Sequence, residues 1–272
     1  MPKVWFVTGS SRGLGRAIVE HALQRGDQVV ATARKPERLD DLVTHHGDRV
    51  KPVALDVTDA AQAAQAVRDA VETFGRLDIV VNNAGYGDIA AVEDVSLQDF
   101  RRQIDTNFYG VVYVTKAVLP ILREQGSGHI FQVSSLSARI GGVGLAAYQS
   151  SKWAVSGFST GLAQEVAPFG VRVTVLEPSG MATDWAGSSM TIPPVSEPYK
   201  PIVGTFAEMV RAVSGNEPID VARVAQVVAD LAGRDDAPLR LLLGADAVQW
   251  AGNAAKQLEA SDAEWRAFSE TV

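Results

Sequence analysis

Short runs of β-branched and aromatic residues recur along the chain, and each is followed by a stretch whose apolar positions return every three or four residues. The runs are Lys3 to Val7, Asp27 to Ala33, Val50 to Leu55, Leu77 to Val81, His129 to Val133, Val171 to Leu176 and Arg240 to Leu243. They read as strands. Between them, helical periodicity runs through Ile18, Ala22 and Leu23, from about Pro36 to His45, from Ala60 to Phe74, from Leu97 to Leu122, from Tyr148 to Ala167 and from about Asp220 to Leu231. Thr58 or Asp59 stands where the third of these helices needs a cap. Strict alternation, with no repeat, low-complexity tract or linker, predicts one α/β domain over residues 1–272, built on a doubly wound parallel sheet with right-handed crossovers.

Three stretches break the pattern. Asn107 and Gly110 lie in the middle of the long helical span and Pro120 near its end. An interior asparagine is mildly unfavourable in a helix, which predicts either a local kink able to hold a water or a residue that is merely tolerated. After the sixth strand, residues from about 184 to 215 carry Pro193, Pro194, Pro198 and Pro201 together with Trp185, Met190, Tyr199 and Phe206. A long proline-containing loop with such an apolar load reads as a substrate-binding loop or lid, with groove filling or a dimer contact as the alternative. The tail is helical in pattern from Asp246 to Glu259, and its last dozen residues read as loosely held.

Bulk properties exclude several functions. A hydrophobic content of 46% and a charged content of 21% suit an ordinary globule with an ample core. The formal charge of -7 argues against nucleic acid or a polybasic membrane surface as partner. No apolar run reaches the length of a membrane span or a signal-peptide core. The chain has 0 cysteines, which rules out disulfides, thiolate nucleophiles and cysteine-ligated zinc, and suits a reducing cytoplasm. His21, His45, His46 and His129 form no spaced metal set, so no metal is expected.

The polar chemistry gathers just after the strands. TGSSRGLG, Thr8 to Gly15, joins the first strand to its helix. Glycines at 9, 13 and 15 permit a tight turn and close backbone approach, so that the loop from Gly9 through Ser11, Arg12, Gly13, Leu14 and Gly15 faces a pyrophosphate; a purely structural turn is the alternative. The second strand ends in Ala33-Arg34, where an NAD-binding chain carries an acidic residue for the ribose 2′-OH. Arg34 and Arg12 without that carboxylate suit a 2′-phosphate, so NADP(H) is expected over NAD(H). Asp56-Val57-Thr58 closes the third strand and Asn82-Asn83-Ala84-Gly85 the fourth. Ligands of open α/β sheets bind outside this carboxyl edge.

The fifth strand delivers Ser134 and Ser135 to the same edge. Tyr148 follows Ser135 by thirteen residues and Lys152 follows Tyr148 by four. Four residues apart on a helix share a face, so the ammonium is expected to lower the phenol's pKa. A hydroxyl and an acidified phenol together can grip a carbonyl oxygen. Tyr-x-x-x-Lys alone is common, and it acquires meaning from the motifs around it.

Taken together, these motifs closely resemble the short-chain dehydrogenase/reductase family over nearly the whole chain: TGSSRGLG, DVT at Asp56 to Thr58, NNAG at Asn82 to Gly85, Asn107, Ser135, Tyr148, Lys152 and the segment Pro178 to Thr183. The resemblance implies a seven-stranded Rossmann-like sheet in the order 3-2-1-4-5-6-7 and a nicotinamide cofactor. It also implies a catalytic tetrad of Asn107, Ser135, Tyr148 and Lys152. Asp56 and Val57 would contact adenine, Asn83, Ala84 and Gly85 the adenosine ribose side, Lys152 the nicotinamide ribose hydroxyls and Thr183 the nicotinamide amide, with Tyr148, Pro178 and Gly180 as further cofactor contacts. Ser179 departs from the family's usual glycine and leaves the local backbone in question. The implied reaction is hydride transfer between NADP(H) and a ketone, aldehyde or secondary alcohol, with Tyr148 as general acid/base. Ser135, Leu145, Trp185 and Met190 are the candidate substrate contacts, while Arg139 is expected in solvent unless it meets an anionic group. Two other readings are a cofactor-binding regulator without chemistry and a nucleotide-sugar epimerase or dehydratase. A homodimer or homotetramer is the implied assembly.

Overall fold

In the computed structural model, which describes residues 2–183, 185, 187 and 189–272, the chain forms a seven-stranded sheet in the order β3-β2-β1-β4-β5-β6-β7. The strands are β1 Val4–Val7, β2 Gln28–Ala33, β3 Val50–Ala54, β4 Ile79–Asn82, β5 Gly128–Val133, β6 Val171–Pro178 and β7 Arg240–Leu243. Every neighbouring pair is parallel. This is the expected Rossmann-like order.

Helices cover both faces because alternate strand residues point opposite ways. Trp5 and Val7 of β1 face a core with Ile18 and Leu23 of α1 (Gly13–Gln24) and Val228 of α8 (Val221–Ala232). Val4 and Phe6 face the other core, with Val67 of α3 (Ala60–Phe74), Val118 of α5 (Gly110–Gln125) and Leu162 of α6 (Ala146–Val166). All four β1 residues are buried, so that strand is an uninterrupted apolar run. Asp59 caps α3 as its position suggests, accepting hydrogen bonds from Ala61 N–H at 2.8 Å and Gln62 N–H at 3.0 Å.

The long helical span is interrupted where Asn107 predicted it. Between α4 (Leu97–Ile104) and α5, residues Asp105–Tyr109 form a π turn. The helix then continues through Pro120 to Gln125, beyond the expected end at Leu122. The region expected as a proline-rich loop is partly helical. A π turn at Lys200–Gly204 leads into α7 (Thr205–Val213). Pro198 and Pro201 both stand in opening turns, where the missing N–H would have no intrahelical partner anyway. The expected domain of 1–272 and lid of 184–215 include Met1, Asp184, Ala186 and Ser188, which lie outside the described residues.

The tail differs from expectation more clearly. The last helix, α9, spans Ala245–Ser269 and so includes most of the residues expected to be loosely held. Only its root packs, through Ala247 and Ala251 against Leu136, and every residue after Ala254 is exposed. The short helix α2 (Asp40–His46) follows a 3₁₀ turn at Pro36–Leu39.

Candidate active site at the carboxyl edge of the sheet

The site begins with the loop between β1 and α1. Gly9 and Gly13 adopt φ of 67° and 56°, in the left-handed region that favours glycine. A Cβ on Gly15 would lie 2.5 Å from Asn83 Nδ2, so only glycine fits the packing beneath the loop. No side chain caps α1, and its first turn carries no acidic residue. Its opening N–H groups, under a loop without side-chain bulk, suit a pyrophosphate by charge and shape. Ser11, Arg12 and Leu14 fill the rest of the loop, Arg12 exposed and Leu14 buried.

The amides of the fourth strand serve this loop. Asn83 Nδ2 donates to Thr8 O at 2.9 Å and to Gly9 O at 3.3 Å. Thr8 Oγ1 accepts from the backbone N–H groups of Asn83 at 2.9 Å and Ala84 at 3.0 Å. Asn82 instead ties β4 to β5 and α5, donating to Gln132 Oε1 at 2.9 Å and Thr115 Oγ1 at 3.2 Å. Asn83 therefore holds the glycine loop, and Gly85, whose Cβ would meet Asn107 Oδ1 at 3.0 Å and Lys152 Nζ at 3.5 Å, leaves the backbone room beside those two side chains.

On the ribose side, Ala33 ends β2 and Arg34 is exposed, with no hydrogen bond or ion pair among the described residues. Arg16, in contrast, is engaged with Glu20 and Asp41. Asp56 turns inward on its own loop, accepting from Thr58 N–H at 3.0 Å and Thr58 Oγ1 at 2.8 Å, and Val57 is buried next to it.

The tetrad residues converge from three elements. Asn107 sits in the π turn, fully buried. It donates from Nδ2 to Tyr86 O at 2.8 Å and Ser151 Oγ at 3.1 Å, and accepts Tyr86 N–H at 3.0 Å. Ser135 follows β5, and its hydroxyl accepts Ser137 N–H at 3.0 Å and stands near enough to the Tyr148 phenol to favour its ionised form. Tyr148 and Lys152 share a face of α6, with Nζ 5.6 Å from the phenol ring centre. Lys152 Nζ donates to Val133 O at 2.8 Å.

The electrostatics of this pair depart from expectation. Burial pushes the Tyr148 phenol up to about 12, although the Ser135 hydroxyl pulls it the other way. Burial also pushes the Lys152 ammonium down to about 8. In the protein by itself the phenol is not acidified, because desolvation of the charged forms outweighs their mutual help.

The far wall is apolar and joins Ile89, Leu145 and Tyr148 to residues of the segment after β6. Leu145, Tyr148 and Met190 belong to one buried cluster with Ile89, Val203 and Ala207, and Trp185 packs against it. A strap after β4 carries the lid. Asp88 Oδ1 accepts Thr191 N–H at 2.8 Å, Ile89 N–H donates to Thr191 O at 3.2 Å and Tyr199 Oη donates to Glu93 Oε2 at 2.8 Å. A groove of about 680 Å³ lies within the lid, shared by Ile192, Val195 and Ala207 with Lys200 and Glu208.

Beyond β6, Pro178 is buried and the chain from Met181 pairs with Ile219. Thr183 lies over the start of α1, within 3.7 Å of where a Cβ on Gly13 would stand. Gly180 accepts Ile219 N–H at 3.3 Å. Ser179, the departure noted above, has a structural use: its hydroxyl donates to Asp246 Oδ1 at 2.6 Å and so fastens this turn to the root of α9.

A family profile described as short chain dehydrogenase matches residues 3–191. The chain belongs to the short-chain dehydrogenase family. It is thus an oxidoreductase of that family. The protein named Oxidoreductase BOA17 from Botryotinia fuckeliana (strain B05.10) is 62% identical over 270 residues, covering 99% of this chain and 98% of that one. A solved short-chain dehydrogenase from Streptomyces avermitilis superposes with a TM-score of 0.93 at 36% identity, over 99% of this chain and 98% of the other. The alcohol dehydrogenase of Thermococcus sibiricus, solved with 5-hydroxy-NADP, matches with a TM-score of 0.74 at 27% identity, over 89% and 96%. The 3-ketoacyl-(acyl-carrier-protein) reductase of Brucella melitensis, solved with NADH, gives 0.74 at 26%, also over 89% and 96%. Members solved with either phosphorylation state of the cofactor thus share this architecture.

Sequence reasoning passed over several residues of this family member's site. Thr8 was part of the glycine motif but had no role, and Ser151, Gln103 and Gly87 were not singled out. Gln103 is buried and its Oε1 accepts Asp88 N–H at 3.1 Å. Glu177 is the largest omission. It is completely buried between Arg139, whose Nε lies 2.6 Å from Oε2, and Arg240, whose Nε lies 2.9 Å from Oε1. Arg139 is therefore paired rather than solvated. A charged residue inside the apolar run VRVTVLEP was the available signal.

Proposed function

We propose that this chain transfers a hydride between NADP(H) and a carbonyl or secondary alcohol, reducing ketones or aldehydes with Tyr148 as the proton donor. The observation that carries this reading is the buried phenol of Tyr148 with Lys152 one helical turn on, its Nζ 5.6 Å from the ring centre, and Ser135 brought beside them from the end of β5. The cofactor, when bound, supplies the hydride.

The glycine loop from Gly9 to Gly15 and the uncapped start of α1 would hold its pyrophosphate. Asp56 and Val57 would flank the adenine, Asn83, Ala84 and Gly85 the adenosine ribose side, and Thr183 the nicotinamide amide, with Pro178 and Gly180 in the same segment. Arg34, exposed and unpaired among the described residues, and the alanine at position 33 support NADP(H) over NAD(H).

Ser135 and Tyr148 hold the carbonyl oxygen in the reductive direction. As negative charge develops there, Tyr148 gives up its proton to it. Lys152 would hold the ribose of the cofactor, and its ammonium offsets the phenolate left behind. Asn107 fixes the spacing between the Tyr86 backbone and α6 at Ser151, and so the position of Lys152. Leu145, Trp185 and Met190 exclude water from the reacting atoms and face the substrate's apolar part.

Fluorescence titration with NADPH and NADH, followed by turnover against a panel of ketones and aldehydes, tests the reading. Tighter NADPH binding and oxidation with a carbonyl are the expected results. Binding without any turnover would leave a cofactor-responsive regulator, and product formation with no net NADPH consumption an epimerase.

A further inference from the structure

Trp185 enters the site from the lid. Its ring centre lies 5.4 Å from that of Tyr148, the planes inclined by 56°. Gly87 separates the two: a Cβ there would meet Trp185 Cζ2 at 2.6 Å and Tyr148 Cδ2 at 3.0 Å. The absence of that side chain lets the Nε1 edge of the indole close against the same stretch of backbone as the phenol. Nε1 is buried and meets no acceptor among the described residues. The backbone N–H of Trp185, by contrast, is satisfied by Thr183 Oγ1 at 3.2 Å.

A buried donor without a partner in an apolar wall calls for a ligand atom. Ser135 and Tyr148 are committed to the reacting oxygen in the proposed reaction, so the indole N–H is a third donor close to the phenol, with nothing bound to it. It is uncharged, and the indole packs against the apolar cluster that includes Leu145, Met190 and Ile89. A carboxylate would strand its charge there, whereas a neutral carbonyl would not.

We propose that Trp185 Nε1–H donates to a second, neutral oxygen of the substrate, and hence that the substrate is a carbonyl compound carrying an ester or ketone oxygen within a few bonds of the reacting carbon. This rests on the carbonyl-reductase reading above. Trp185 is then a specificity residue, distinct from the proton donor.

The test compares ethyl 3-oxobutanoate with 2-heptanone, similar in length but lacking the ester oxygens, in the wild type and in Trp185→Phe. The wild type should favour the keto ester in kcat/KM by about a hundredfold. Trp185→Phe should remove roughly ten- to a hundredfold of that preference, because the keto ester loses the hydrogen bond as well as the apolar contact that both substrates lose. Replacement of Trp185 by 3-benzothienylalanine, which keeps the ring's shape and lacks only the N–H, should do the same if the phenylalanine variant folds poorly. Equal losses for both substrates, or a weakened NADPH Kd with unchanged substrate KM, would overturn the proposal. Should the wild type bind NADPH and turn over neither compound, the reductase reading fails separately. Calorimetric binding of the keto ester to the NADP⁺-loaded Tyr148→Phe protein, with and without Trp185→Phe, then decides the donor: an unchanged Kd excludes it.

Discussion

At the scale of single residues, burial governs the chemistry. Tyr148 is 8% exposed and its phenol is pushed up to about 12, so at neutral pH it is uncharged and carries the proton that the proposed reduction requires. Tyr148→Phe should lower carbonyl-dependent NADPH oxidation at least a hundredfold while leaving the NADPH Kd within about threefold, and the melting temperature at pH 7 should barely move. Lys152 behaves oppositely. Its folded value near 8 lies below the ordinary 10.5, so between those two pH values the unfolded chain binds a proton that the folded chain lacks, and stability rises with pH. Below about pH 8 the whole cost of the buried ammonium is present. Lys152→Met should therefore stabilise the protein at pH 7 by roughly 1–2 kcal/mol, once the lost hydrogen bond to Val133 O is deducted, with the gain fading towards pH 10.5, as thermal melts across that range would read. Turnover should still collapse. Arg34→Ala should raise KM for NADPH about tenfold and leave that for NADH unchanged, which steady-state kinetics with the two cofactors would show.

At the scale of elements, the position of Ser135 depends on strands far from it in sequence. The turn Leu136–Ala138 follows Ser135 directly, and Arg139 and Arg240 fix it to Glu177 at the end of β6. Arg240 Nη2 also reaches Ala138 O at 3.5 Å. A carboxylate this buried is held in place only by its two guanidiniums, and those are about one-third exposed. Glu177→Gln should cost about 2–3 kcal/mol in urea unfolding, reduced from a fully buried pair by solvent at the arginines. The same variant should raise KM for NADPH, because Pro178 to Gly180 adjoin it. The π turn at Asn107 is the other element-scale device: by inserting one residue into the α4–α5 span it turns the amide inward onto Tyr86 and Ser151.

For the whole molecule, the seven parallel strands all end at one edge, and the candidate site lies there. The far end of α9 is removed from all of it. Leu258, Trp265 and Phe268 are 64%, 59% and 71% exposed, and every residue after Ala254 lies outside the packed body. Deleting residues 259–272 should leave kcat/KM per subunit within about twofold and the melting temperature of the body nearly unchanged, since the deleted stretch contributes no core. No helix among the described residues is long and apolar enough to cross a membrane.

Local patterns carried the strand and helix identities, the Asp59 cap, the glycine turn and the break at Asn107, since each follows from backbone sterics or from periodicity within a few residues. The chain alone also determined the sheet's parallel character, because alternating strands and helices leave few other ways to bury both faces. Only the tertiary structure decided the rest. Whether Lys152 acidifies Tyr148 depends on how much water each loses, which no spacing records. The Glu177 triad joins positions 139, 177 and 240, and the Trp185–Gly87–Tyr148 contact joins the segment after β6 to the loop after β4 and to helix α6. Desolvation and long-range pairing belong to the packed molecule, and they set the charge and the shape of the site.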